Sequence, residues 1–458
     1  MITPPELLLL GDSGLNYAKH LGATECEIYL ISGTNSTLEI KNNAIVSCQS
    51  QTLSNIGIRA FSRNSSGSIS LTTFDKEAIR EAVGDVVSMS KVAPSDNNFR
   101  SLLKFSENPI YPNVPNLYDS SITKFSEEDL LEIGEIIIDT VKGLDDRAIV
   151  QGNISIRNTS FGIVNSHGIR CAEQLSSSSL FSSVNIRVND SNIGTGGEFW
   201  ISRSFKDLKK HSEAISNIAT DKALKALNSQ KISESKAMPV IIHGRNAYSW
   251  LGLIIGFGIS AKKLFEGESY FSDRLGAKVI TEGLEVIDNP LFPGGFQSIP
   301  FDDEGAPTQD TKIINKEGIL ENFITDSYTS NILDLPITGH ANRSNPALKT
   351  SPSIHQLHIS NGDAGSIEDL IRDTQKGIYL ESSISSFGLK GANISEKLGR
   401  AFYVEHGEIK YPIKDAMIAG NINTFLNGIS GVSSDLVIEF GRKSPHILVD
   451  GLIISGAR

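Results

Sequence analysis

No histidine in this chain is followed by glutamate, and no cysteine lies beyond Cys171. The first absence leaves no start for a His-Glu-x-x-x-His helix. Only three cysteines are present, Cys26, Cys48 and Cys171, an odd number with no C-x-x-C spacing. That excludes a disulfide framework and predicts a reduced, cytoplasmic setting. No Lys/Arg run occurs; Lys209-Lys210 and Lys262-Lys263 are isolated pairs, and the net charge is −11. Nothing here would neutralise phosphates in number, so nonspecific nucleic-acid binding is not expected. The four leucines at Leu7–Leu10 lack a preceding basic region, so no export signal is read. The longest apolar stretch, Trp250–Ile259, is broken by Gly252, Gly256 and Gly258. It falls short of the roughly 20 residues of a membrane span. There is no Gly-x-Ser-x-Gly elbow for a serine nucleophile. The glycines at 252–258 have no Lys-Ser/Thr after them, as a phosphate cradle needs.

What is present is a long, ordinary globular chain. At 458 residues it exceeds one core, and two or three domains are expected. Pro5 to Leu21 reads as a helix. Short alternating runs follow at Cys26–Ser32, Ser36–Lys41, Ala44–Ser50, Ile56–Ser62 and Ser68–Thr72, an antiparallel meander. Asp75 caps a second helix with Ile79, Val83, Val86 and Val87 on one face. Ala93–Asn116, with four prolines, reads as an irregular crossover. Ser126 and Asp129 form a capping-box-like start ahead of Leu130, Ile133, Ile137 and Val141. Strands are then predicted at Ile149–Asn158, Gly162–Asn165, Ile169–Gln174, Phe181–Val188 and Glu198–Ser202, closed by a helix over about 207–227. From Pro239 the pattern is a strand, then one helix from Arg245 to about Phe265. Past Val279 it is mostly strand, with helices at Ser327–Leu333 and about 366–375. Turns with glycine recur at Asn165–Gly168, Asn315–Gly318 and His406-Gly407. The apolar run His446–Ser455 reads as a central strand. The fold class is therefore α+β: helix and antiparallel-sheet units over 1–95 and 117–230, then a β-rich domain over 235–458.

Few residues suggest chemistry by themselves. His355 and His358 have metal-like spacing, but on a strand residues three apart face opposite ways. Asp302-Asp303-Glu304-Gly305 lacks the ligand spacing of a calcium loop; a turn with solvated carboxylates is expected. His340 sits in a loop, where it either touches a ligand or is a satisfied surface histidine. The glycine stripe at 252, 256 and 258 predicts close helix packing.

The stretch Pro300–Asn331 (PFDDEGAPTQDTKIINKEGILENFITDSYTSN) resembles the TldD/PmbA family. So do Ser54–Arg63 (SNIGIRAFSR), Ser269–Gly276, Thr338–Arg343 (TGHANR), Glu405–Asn421 (EHGEIKYPIKDAMIAGN), and Ser444-Pro445 with Val449–Gly456. They occur in the family's order. The stretch Asn393–Arg400 (NISEKLGR) departs from it. The resemblance implies paired subunits, one a zinc peptidase with a His-Glu-x-x-x-His helix and a distant cysteine. Alignment at Glu266-Gly267 puts Gly258, Ile259 and Lys263 where that motif belongs, and Ser433 and Ser434 in the cysteine's region. An ammonium at Lys263 would repel a divalent cation.

The resemblance thus implies a metal-free, PmbA/TldE-type chain with no catalytic residue and no metal or cofactor of its own. Zinc is expected in a catalytic TldD-like paralogue, the partner in a heterodimer or larger assembly, with an extended peptide as substrate. Asp302, Asp303, Glu304, His340 and Arg343 are the expected cavity or peptide contacts. The alternatives are a stand-alone homodimeric peptide-binding module and an independent hydrolase with an unrecognised site.

Overall fold

The computed structural model describes all residues except 233–234, 384–388, 391 and 457–458. Helix α1 (Pro4–His20) and helix α2 (Lys76–Val92) flank three strands, β1 (Glu25–Lys41), β2 (Ala44–Ser62) and β3 (Ser65–Leu71). Asp75 Oδ1 accepts from Ala78 N at 2.9 Å, which fixes the start of α2. The grammar repeats with α3 (Glu127–Leu144), β4 (Ala148–Asn165), β5 (Arg170–Asn189), β6 (Asn192–Ser202) and α4 (Leu208–Lys225). Ser126 caps α3 as its sequence predicts: its Oγ accepts from Asp129 N, and Asp129 returns the bond.

The two repeats are not separate sheets. β1 pairs with β4, giving one antiparallel six-stranded sheet in the order β3-β2-β1-β4-β5-β6. Runs expected as separate strands are also fused. Cys26–Ser32 and Ser36–Lys41 both lie in β1, and Phe181–Val188 and all of Ile169–Gln174 but its first residue lie in β5. The polar break at Gly33–Asn35 stays extended because it is bonded on both sides, Gly33 opposite Leu53 of β2 and Thr159 of β4. Backbone pairing, indifferent to side-chain polarity, carries the strand through.

The C-terminal part centres on the strand Arg442–Gly456, predicted from its apolar run. It lies antiparallel to Lys236–Ile242, Ile429–Glu439 and Ala416–Asn421. Lys236–Ile242 in turn runs parallel to Lys376–Ser383. Helix α5 (Gly244–Ile259) covers this sheet, with Ala247, Trp250, Leu251, Ile254 and Ile255 fully buried. Each such large apolar side chain contributes roughly 1.5–3 kcal/mol relative to exposure.

Two expectations fail here. The helix from Arg245 to Phe265 is broken. Ser260 is extended (φ −65°, ψ 117°), and the short helix α6 (Ala261–Phe265) begins afresh. The break is held by a parallel bridge to Ile324: Ala261 N donates to Ile324 O, and Ile324 N to Ile259 O, both at 3.0 Å. Past Val279 the chain is also less regular than expected, with long turn segments over 289–310 and 343–350. Most of their N–H groups find turn or loop carbonyls, and buried carboxylates accept those of Glu304, Ala306 and Arg343, as described next.

Candidate functional site

The positions aligned with the metal motif do not converge on a common space. Gly258 is buried, and a Cβ built there would lie 2.5 Å from Phe271 Cδ2 and 2.8 Å from Tyr270 Cε2. Gly258 O accepts from Ser269 Oγ, and Tyr270 Oη donates to Ile254 O. Ile259 is fully buried in the core. Lys263, across the helix break, donates to Glu266 at 2.8 Å and Glu268 at 2.7 Å. These bonds, Glu266's first, raise its pKa and keep the ammonium charged. Ser433 is buried elsewhere, accepting from His446 N and donating to Asp435 O. Ser434 is tied through its backbone N–H to Gly365 O. The expected close-packed glycine stripe reduces to Gly258. Cβ atoms at Gly252 and Gly256 would make only ordinary contacts with Ile354 or Leu357, at 3.5 Å or more.

The DDEG segment is not a solvated turn. Asp302 and Glu304 are buried, and the segment forms the joint between the six-stranded sheet and the C-terminal part. Asp302 accepts from the backbone of Glu304, Ala306 and Ala341, each at 2.9 Å. Asp303 accepts from Tyr29 Oη at 2.8 Å and Arg343 N at 2.7 Å. Glu304 accepts from Ser327 N at 2.8 Å and from Thr350 Oγ1, which also reaches Asp326 at 3.1 Å. Carboxylates here substitute for a strand partner by satisfying buried N–H groups.

Glu27 of β1 completes the joint. It sits directly opposite Arg59 of β2 and accepts from Arg59 at 2.6 Å and from Arg343 at 2.9 Å. Burial opposes its charge, yet Arg343 and Arg59 hold the carboxyl below its ordinary value. Sequence reasoning singled out Arg343 but missed Glu27, Arg59 and Asp326. A signal existed: Glu27 and Arg59 are the only charges inside the apolar strand runs CEIYLI and IGIRAF.

Glu304 behaves differently. Burial, then the nearby charge of Asp326, pushes its pKa up to about 7. Burial raises Asp302 and Asp303 as well. The sign for stability follows. A carboxyl whose folded pKa lies above its unfolded value of 4.5 contributes fully below pH 4.5. That contribution is lost as pH rises through about 7. Glu304→Gln is therefore expected to stabilise the chain at pH 8, by up to about 3 kcal/mol, with no gain at pH 4.5. Thermal melts across pH 4.5–8 check this; an equal effect of the substitution at both ends contradicts it.

His340 is neither on the surface nor in the acidic joint. It is fully buried, with Nε2 2.9 Å from Asp288 Oδ2 and Nδ1 2.8 Å from Thr338 O. Asp288 also accepts from His355 N at 2.7 Å and from Gln356 N. Burial opposes the Asp288 charge, but the bond from His340 and the proximity of His355 hold its pKa down. His355 and His358 turn to different partners, the carbonyls of Gly339 and Gly441. Among the described residues no three His, Cys, Asp or Glu side chains are grouped to hold a metal ion. The buried thiols of Cys26 and Cys171 are pushed up to about 12 by burial, far from a nucleophilic thiolate. No helix among the described residues is long and apolar enough to cross a membrane.

The fold is that of a known class. Residues 26–90 match PmbA/TldA metallopeptidase domain 1, residues 120–227 the central domain, and residues 235–456 the C-terminal domain. The chain belongs to the PmbA/TldD metallopeptidase family. It is 27% identical over 422 residues to the metalloprotease PmbA homologue of Haemophilus influenzae, covering 88% of this chain and 85% of that protein. A metalloprotease of Methanocaldococcus jannaschii is 25% identical over 425 residues, with 91% of each chain covered. The crystal structure of TldE from Thermococcus kodakarensis superposes with a TM-score of 0.85 at 22% identity, covering 97% of this chain and 99% of that one.

Proposed function

We propose that this chain is the metal-free, PmbA/TldE-type subunit of a heteromeric metallopeptidase. In this reading the catalytic chemistry belongs to a TldD-like paralogue that holds zinc. This chain closes the shared cavity and helps hold an extended peptide, by backbone pairing that asks little of the peptide's sequence. Asp302, Asp303, Glu304 and Arg343 then act by fixing the cavity wall between the two parts of the chain, rather than by touching the peptide.

The observation that carries the reading is the chemistry at the motif positions. A zincin site needs two imidazoles on one helical face and a carboxylate between them. Here those positions hold a glycine under Phe271 and Tyr270, a core isoleucine, and a lysine neutralised by two glutamates beyond a helix break. The residues present do not fit a metal. Removing the charge of Glu266 and Glu268 would leave the lysine, still a cation, in the second imidazole's place.

Elemental analysis of the purified chain after mild chelation tests the metal half of the proposal, with no stoichiometric zinc expected. Tightly held zinc at one per chain would refute it. Pull-down with a paralogue that carries the intact His-Glu-x-x-x-His motif tests the other half, with a stable complex expected.

A further inference from the structure

We propose that the cleft at the start of α5 is a binding site for an α-carboxylate carried beside an apolar side chain. The cleft has a volume of about 150 Å³. That is the size of a cavity that holds one benzene ring. Its walls are aromatic or aliphatic at Phe199, Tyr248, Val437 and Phe440. Phe199 and Phe440 pack at 5.3 Å between ring centroids.

The charges that line it are mostly spent. Arg245 is taken by Glu198 and Glu439. Glu381 is taken by Arg400 and Lys222. Two donors remain. Asn246 is 7% exposed; its Oδ1 accepts from Ser383, but its Nδ2 has no partner among the described residues. Arg442 lies against the Tyr248 ring at 5.0 Å and gives Nη2 to Gln297 at 2.8 Å. Its Nε is buried without a partner, and no carboxylate among the described residues pairs with it.

Buried donors left unpaired are costly, and their natural complement is an acceptor that arrives with a ligand. A guanidinium without a counter-ion selects an anion, and a carboxylate fits its fork. The macrodipole at the start of this 16-residue helix adds to the preference. Its first N–H groups cannot serve, because His446 Nδ1 and His243 Nδ1 already accept from Gly244 N and Arg245 N. The anion is assigned to the Asn246 and Arg442 side chains, whose buried donors are unpaired, and the neighbouring apolar group to the aromatic walls. The last residue of a peptide and a free apolar amino acid share this chemistry. The site belongs to the isolated chain, so it does not depend on the peptidase reading.

Calorimetric titration of the purified full chain tests the proposal, with N-acetyl-phenylalanine, its carboxamide, and free phenylalanine as probes. The acid is expected to bind at least tenfold more tightly than the carboxamide. Tighter binding of the acetylated acid assigns the site to a peptide end, and tighter binding of the free amino acid to a metabolite. Arg442→Gln should weaken the acid at least tenfold and leave the carboxamide unchanged, and Arg442→Lys should restore part of the loss. Melting curves select variants that fold. The proposal is overturned if neither carboxylate binds, if acid and carboxamide bind alike, or if a folded Arg442→Gln chain binds the acid as the natural chain does.

Discussion

Replacing Arg343 by alanine is expected to cost about 3–5 kcal/mol, the range for removing one partner of a buried ion pair. The side chain is 1% exposed and joins three places at once: Glu27 of β1, the carbonyl of Asp303 and the carbonyl of Leu348. Without it, Glu27 keeps Arg59 alone, and the Asp303 and Leu348 carbonyls lose a donor. The double change Glu27→Gln with Arg343→Met should be milder than the sum of the two single changes, because both single changes break the same Glu27–Arg343 pair, while Arg59 loses Glu27 equally in the single and the double change. Urea denaturation measures both. A loss below about 1 kcal/mol for Arg343→Ala would mean that the joint is not held by this ion pair.

The second large effect is expected at Gly258. A Cβ there would enter the space of Phe271 and Tyr270, and Tyr270 is anchored through its hydroxyl to Ile254. Gly258→Ala should cost about 1–3 kcal/mol by overpacking. Gly256→Ala should stabilise by about 0.5–1 kcal/mol, because its Cβ meets only Ile354, at 3.5 Å, and alanine is the better helix former. The contrast between two glycines on one helix separates packing from helix propensity, which would favour alanine at both. Installing the whole motif, Gly258→His with Ile259→Glu and Lys263→His, should not create a zinc site. The imidazole has no room, the glutamate would be an unpaired charge in a fully buried position, and the helix break separates the second histidine. Stoichiometric zinc in a folded triple variant would contradict this.

These effects also mark where sequence reasoning stops. The helices with caps were legible because capping is local: Asp75, Ser126 and the helix at Ser327–Leu333 lie where the residues put them. The central strand Arg442–Gly456 was legible from its apolar run. The mixed helix and strand fold was legible for the same reasons. Strand length was not, since polar runs such as Gly33–Asn35 are held by neighbours distant in sequence. Nor was the burial of Asp302, Glu304 and His340, whose partners Ala341, Thr350 and Asp288 lie 39 to 52 residues away. Polar composition predicted exposure at these positions. The structure instead uses them to satisfy irregular backbone inside the molecule. The break at Ser260 was equally invisible, because it depends on a bridge to Ile324.

The central claim is that this chain lends shape, not chemistry, to a peptidase. Cleavage of an unfolded peptide should be measured with this chain alone, with a zinc-binding TldD-like paralogue alone, and with the two mixed. The account predicts no cleavage by this chain and a rise of at least tenfold in the paralogue's activity when it is added, from enclosing and orienting the substrate. Cleavage by this chain alone, or a paralogue whose activity is unchanged by it, would contradict the account.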